Sequence, residues 1–147
     1  MVDCFTPKKR SAIMSRVGHF DTPPERAVRS ALQRMGYRFR LHRRDLPGNP
    51  DIVLPRHKKI IFVHGCFWHG HTRCRKGRRR PASNVSFWKN RIDGNVRRDH
   101  VNLGRLRRGG WRVLVIWECQ VERPAVIENV LKRFLQHLCS ARVTDCR

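Results

Sequence analysis

Ala27, Ala31, Leu32 and Met35 recur at close to 3.6 residues and predict a helix. Its start is marked by Asp21-Thr22-Pro23-Pro24-Glu25, which offers a capping residue, prolines for the first turn and an early acid. Gly36 stops it where a left-handed cap would sit. Tyr37-Arg38-Phe39-Arg40-Leu41 alternates apolar and cationic residues, the period of a half-buried strand. After the turn Leu46-Pro47-Gly48-Asn49-Pro50 come two nearly continuous apolar runs, Asp51-Ile52-Val53-Leu54 and Lys59-Ile60-Ile61-Phe62-Val63, which read as central strands. Periodicity vanishes over residues 64–83, so the order of that loop must come from something other than apolar burial. Residues 87–109 predict an Arg-rich helix, with Gly94 as the position where it could break. Trp111-Arg112-Val113-Leu114-Val115-Ile116-Trp117 is a strand, and residues 124–138 carry Val126, Val130, Leu131, Phe134, Leu135 and Leu138 on one face of a closing helix. This order predicts a layered α/β domain.

The length of 147 residues suits one domain over 23–139, preceded by a basic arm (1–22) and followed by a tail (140–147). With 39% hydrophobic residues the chain can fold despite a charged fraction of 30%. No apolar run approaches the roughly 20 residues that span a bilayer, and the N-terminus lacks a signal-peptide stretch, so a cytoplasmic protein without a membrane partner is expected. Charge narrows the picture further. There are 33 Lys+Arg against 11 Asp+Glu, a formal net charge of +22, which points to a polyanion such as nucleic acid. In a reducing compartment the six cysteines point to metal rather than disulfides.

The chemistry-bearing residues cluster. The segment 64–74, HGCFWHGHTRC, packs His64, Cys66, His69, His71 and Cys74 into one loop, and Cys119 follows the last strand. A short Cys/His cluster closed by one distant Cys is a common tetrahedral zinc arrangement that ties a loop to a sheet edge. Pro50-Asp51 stands at the mouth of a buried strand, where a carboxylate could hold Mg²⁺ for phosphodiester hydrolysis. Glu25 and Asp99 could join it, or could serve as helix-terminal or salt-bridging acids. The acid-x-Lys common on the following strand of nucleases is replaced by Ile61-Phe62-Val63. A histidine is the natural substitute for activating water, and His64 and His69 are both at hand, although either could instead be a zinc ligand.

The series LPGNPDIVL (46–54), IIFVHGCFWHGH (60–71), FWKNRIDGNVRRD (87–99) and GWRVLVIWEC (110–119) resembles the very-short-patch-repair (Vsr) endonucleases over about residues 8–119. The resemblance implies a restriction-endonuclease-like three-layer α/β domain with a mixed central sheet and a structural zinc site. It also implies a Mg²⁺-dependent nick 5′ to the T of a T·G mismatch in double-stranded DNA; a single-strand cut suits a monomer, and a mismatch-repair protein is a partner the sequence leaves open. Carried over by motif, Asp51 and the main-chain carbonyl of Val63 contact Mg²⁺, and His69 is the general base. Glu25, His64 and Asp99 position metal-bound water, while Cys66, His71, Cys74 and Cys119 hold Zn²⁺. Phe67, Trp68, Trp88 and Met14 match side chains that wedge into the base stack. Without the resemblance, Phe67-Trp68 reads as core packing and Met14 as a helix contact. Two departures stand out: Val63 replaces a Thr, and Thr72-Arg73 make the His71–Cys74 spacing one residue longer than usual. Two other readings fit the residues: a zinc-stabilised DNA-binding module without catalysis, and a nickase without mismatch selectivity.

Overall fold

The computed structural model describes residues 6, 8–9 and 21–136. Helix α1 (Pro23–Arg34) begins as its sequence requires, with the Thr22 hydroxyl accepting the Glu25 amide and prolines in the first turn. Gly36, at φ +83°, ends it: the Gly36 and Tyr37 amides return to the carbonyls of Gln33 and Leu32, a Schellman closure. The buried stripe is Val28, Ala31 and Leu32, with Met35 packed at its end, whereas Ala27 faces solvent; the periodicity places the stripe one residue too early.

Strands β1 (Arg40–Leu41), β2 (Ile52–Leu54), β3 (Lys59–His64) and β4 (Arg112–Trp117) form a mixed sheet in that order. β1–β2 and β2–β3 are antiparallel, and β3–β4 is parallel with Lys59 opposite Arg112 and His64 opposite Trp117. The strand expected over 37–41 is shorter, because only Arg40 and Leu41 find partners on the three-residue β2, and His42 then turns away at φ +48°. Tyr37 and Phe39 still pack on the core from outside the ladder.

The parallel pair requires a crossover, supplied by α3 (Val85–Arg108), which follows a short helix α2 (Arg75–Arg78). α3 runs unbroken through Gly94, where one glycine costs only about 1 kcal/mol relative to Ala, too little to disrupt 24 residues. After β4 come α4 (Glu118–Val121) and α5 (Pro124–Gln136). Period-2 alternation assigns the two faces of the sheet. Ile52, Leu54, Ile61 and Ile116 pack with α1 and α5 through Val28, Leu32, Ile127 and Leu131, while Val53, Ile60 and Phe62 pack with Leu106 of α3. Coverage on both faces explains why β2 and β3 are apolar almost throughout. No helix among the described residues is long and apolar enough to cross a membrane. Because β3 and β4 end in register, the 65–74 loop meets residues 118–119 at one end of the sheet.

Candidate active site and metal centre

Asp51 emerges from a turn held at positive φ by Gly48 and Asn49, just before β2. Its Oδ2 accepts the Val63 amide at 2.8 Å, which anchors the carboxylate against the far end of β3. Burial pushes the Asp51 carboxyl up to about 7; the Val63 hydrogen bond and the charges of His69 and Arg29 oppose this, and Glu25 adds to it. Glu25 lies on the first turn of α1, 4% exposed, with Oε2 accepting the Asp21 amide at 3.1 Å. His42 completes the group: its Nε2 is 3.6 Å from Glu25 Oε2. The ligand atoms of Glu25, His42 and Asp51 all lie within 4.8 Å of one another, so the three could hold a cation.

The second group starts where β3 ends. His64 is 6% exposed and stacks on His69, with ring centroids 3.8 Å apart and planes 7° from parallel. His69 Nδ1 is 2.6 Å from Asp99 Oδ2 on α3, and His64 Nδ1 is 4.0 Å from the same oxygen. With Nδ1 donating to the carboxylate, the free basic atom of neutral His69 is Nε2. Burial, helped by the charge of His69 and opposed by Asp99, holds His64 down at about 4, so it is neutral at physiological pH. The Asp51–Val63 hydrogen bond, one residue before His64, sets the two groups side by side at the end of β3.

Cys66, His71, Cys74 and Cys119 form the third group, again with all ligand atoms within 4.8 Å. His71 Nδ1 lies 3.3 Å from Cys74 Sγ and 3.6 Å from Cys119 Sγ. A tetrahedral zinc with ordinary bond lengths puts its N and S ligands roughly 3.5 Å apart, so the donor set fits that ion. The extra residue between His71 and Cys74 is taken up in a turn at Thr72-Arg73 without separating the ligands. Trp117 stacks on the His71 ring at 4.3 Å, and the Gly77 amide donates to Cys74 Sγ at 3.3 Å. A Cβ at position 77 would meet the His71 carbonyl oxygen at 1.9 Å, so only glycine fits there. Burial pushes the Cys66 thiol up to about 12, and such a group ionises readily only beside a cation.

Beside these groups lies an aromatic layer. Trp88 sits at its base, 6% exposed, with Phe67 at 5.6 Å, Trp68 at 5.9 Å and Phe87 at 5.3 Å between ring centroids. Phe67 and Trp68 are half-buried, and Asn95 holds the Trp68 carbonyl at 2.8 Å. The rings pack together yet reach the surface. Met14 lies outside the described residues. Asn90, Arg91, Arg97 and Arg98 line a shallow cationic recess on α3. In the RKGRRR run Lys76 is paired with Glu122 and lies 3.8 Å from Glu118.

The site residues read from the sequence thus fall at one end of the sheet in three adjoining groups. His42 was missed, its imidazole hidden in the cationic run Arg40-Leu41-His42-Arg43-Arg44. The signal was topological: once β1 pairs with β2, residue 42 must lie beside residue 51, and the His42 amide does donate to the Asp51 carbonyl at 3.2 Å.

A mixed sheet between helices, with carboxylates and histidines gathered at one sheet end beside a cationic surface, is an arrangement suited to cutting nucleic acid. The chain's backbone is similar to the homing endonuclease I-Bth0305I catalytic domain, with a TM-score of 0.56 and 23% identity, over 82% of this chain and 100% of that one. The profile of the DNA mismatch endonuclease Vsr family matches residues 2–76. Type II nicking enzyme V.XorIIP of Xanthomonas oryzae pv. oryzae is 46% identical over 92% of this chain and 98% of its own length. DNA mismatch endonuclease Vsr of Escherichia coli K12 is 40% identical over 92% of this chain and 86% of its own. The chain belongs to the Vsr family of DNA mismatch endonucleases.

Proposed function

We propose that this endonuclease nicks one strand of double-stranded DNA 5′ to the T of a T·G mismatch, in a reaction that depends on Mg²⁺. The observation that carries the reading is that two clusters, Glu25–His42–Asp51 and His64–His69–Asp99, stand at the end of β3, where Asp51 accepts the Val63 amide one residue before His64. Asp51 and the Val63 carbonyl would hold Mg²⁺, with Glu25, His64 and Asp99 binding its water shell; hard oxygen donors suit that ion. The ion, when bound, supplies Lewis-acid stabilisation of charge on the phosphate. Asp99 fixes the His69 tautomer and ring orientation, so that Nε2 accepts the proton of the attacking water. His64, kept neutral by burial, stacks against His69 and limits its rotation. The Cys66–His71–Cys74–Cys119 corner, closed by zinc, would hold the loop that carries His69.

Selectivity is assigned to Phe67, Trp68 and Trp88, with Met14 from the N-terminal arm. A wobble pair is cheaper to unstack than a paired one, so wedging rings favour mismatched DNA. Cationic residues of α3 hold backbone phosphates without reading sequence. One such site per chain suits a monomer that cuts one strand, and a mismatch-repair protein would act alongside it. The reading is tested with Mg²⁺ and duplexes labelled on either strand. A T·G duplex should be nicked on the T strand alone, at least tenfold faster than its T·A counterpart, and equal cutting of both duplexes would contradict it. Trp68→Ala should reduce that preference about tenfold, in keeping with a stacking contribution of roughly 1–3 kcal/mol.

A further inference from the structure

We propose that His42 is a nitrogen ligand of the catalytic cation site, shared with Asp51 and with Glu25, which then binds the ion directly instead of through its water shell, and that it tilts the site toward Mn²⁺ and other transition cations. The inference rests on the nuclease reading given above and assigns a residue to the same site.

Backbone pairing puts the residue there. β1 ends at Leu41 against Ile52, and the His42 amide then donates to the Asp51 carbonyl at 3.2 Å. The left-handed turn at His42, φ +48°, takes the chain out of the ladder at the site's edge. Its side chain, 23% exposed, ends with Nε2 3.6 Å from Glu25 Oε2. That separation is long for a hydrogen bond, and Glu25 Oε2 already accepts the Asp21 amide at 3.1 Å. It falls between the roughly 3.0 Å of neighbouring ligands and the roughly 4.2 Å of opposite ligands at metal–ligand distances near 2.1 Å, so a shift of a few tenths of an ångström lets both atoms bind one ion. The three donors lie within 4.8 Å of one another, so a small contraction brings all of them onto one cation.

Charge points the same way. Two carboxylates face each other here, one of them 4% exposed, and of the nearby cations Arg29 is ion-paired with Asp21. Buried like charges at this spacing are stabilised by a shared divalent ion. An all-oxygen set suits Mg²⁺, whereas an imidazole added to carboxylates raises affinity for Mn²⁺, Fe²⁺ and Co²⁺ more than for Mg²⁺.

The test uses the full-length, zinc-loaded protein on a T·G duplex with a nick-resistant phosphorothioate at the cut position. Mn²⁺ binding is read from the resonance of the free ion, and Mg²⁺ binding by competition. His42→Gln should weaken Mn²⁺ about tenfold and Mg²⁺ by less than about threefold. Crystals of the wild-type complex grown in Mn²⁺ should show an anomalous peak within bonding distance of His42 Nε2, a result independent of how the variant folds. Unchanged Mn²⁺ affinity, equal loss of both ions, or a peak beyond bonding distance of Nε2 would each overturn the proposal. Asp51→Asn separates the two levels. If it abolishes Mn²⁺ binding while His42→Gln does not alter it, only the role of His42 falls; if neither variant alters it, the catalytic cation reading falls as well.

Discussion

Two clusters flank the end of β3, and they differ in almost every property that decides what a metal does. The corner of Cys66, His71, Cys74 and Cys119 offers three sulfurs and one imidazole, with Cys66 buried and the His71 ring covered by Trp117. Four protein donors fill a tetrahedral shell and leave no position for water. The opposite cluster, Glu25, His42 and Asp51 beside His64, His69 and Asp99, offers carboxylates and imidazoles that no single ion would saturate. Soft, closed donors make a staple; hard, open ones make a place where water and phosphate can bind. One six-residue strand serves both, because His64 ends it on the side of the carboxylates and Cys66 lies two residues further on.

The comparison can be broken first at the staple. Cys66→Ser removes one donor from a corner that could be closed by zinc, and zinc binding is folding energy in such sites. The variant should lose zinc stoichiometry and lower Tm by more than about 10 °C, as several kcal/mol would in a domain of this size. Retention of zinc and of Tm would show that apolar contacts order the loop. On the other side the effect should be kinetic. His69→Gln should lower the single-turnover nicking rate by about 10²–10⁴-fold, the range for loss of a general base, with zinc content and Tm unchanged. A parallel loss of stability would make His69 part of the fold rather than of the chemistry.

A smaller effect concerns protons. Asp51 stands at about 7 in the fold against an ordinary 3.8, so the fold favours its protonated form and metal-free stability falls as pH rises from about 4 through 7. His64, held at about 4 against 6.5, acts in the opposite sense: its contribution is complete above pH 6.5 and is lost as pH falls toward 4. The two oppose each other over most of that window. Asp51→Asn removes one of them, so at pH 8 without added divalent cation the variant should be more stable than the wild type by about 1–3 kcal/mol, measured by denaturant unfolding with zinc retained. A less stable variant would mean that the charged carboxylate is already satisfied by protein groups.

Much of this was legible in the sequence because local chemistry and tertiary context agree. The Thr22 cap with its prolines, Gly36 as a left-handed stop and the apolar runs of β2 and β3 each carry their own physical reason. The Cys/His loop was legible because few folds other than a metal site gather such residues. Where the reading failed, tertiary pairing decided. Tyr37–Phe39 have the strand period but no partner strand long enough to pair with. Gly94 has helical neighbours that override its weak propensity. The role of Trp88 is a different matter, since the motif carries no information on which ring of the layer is exposed: Trp88 is 6% exposed and its neighbour Phe87 55%. His42 becomes visible only after the β1–β2 register is known.

The central claim is that Asp51 and the histidines beside it act together on one DNA phosphate around divalent cations. Its most direct test is Mg²⁺-dependent single-turnover nicking of a T·G duplex by the wild type and by Asp51→Asn, with duplex binding measured in parallel. Nicking should fall by at least about 10³-fold while binding changes by less than about threefold, as expected when a transition-state contact is lost. Nicking at the wild-type rate by Asp51→Asn would contradict the claim.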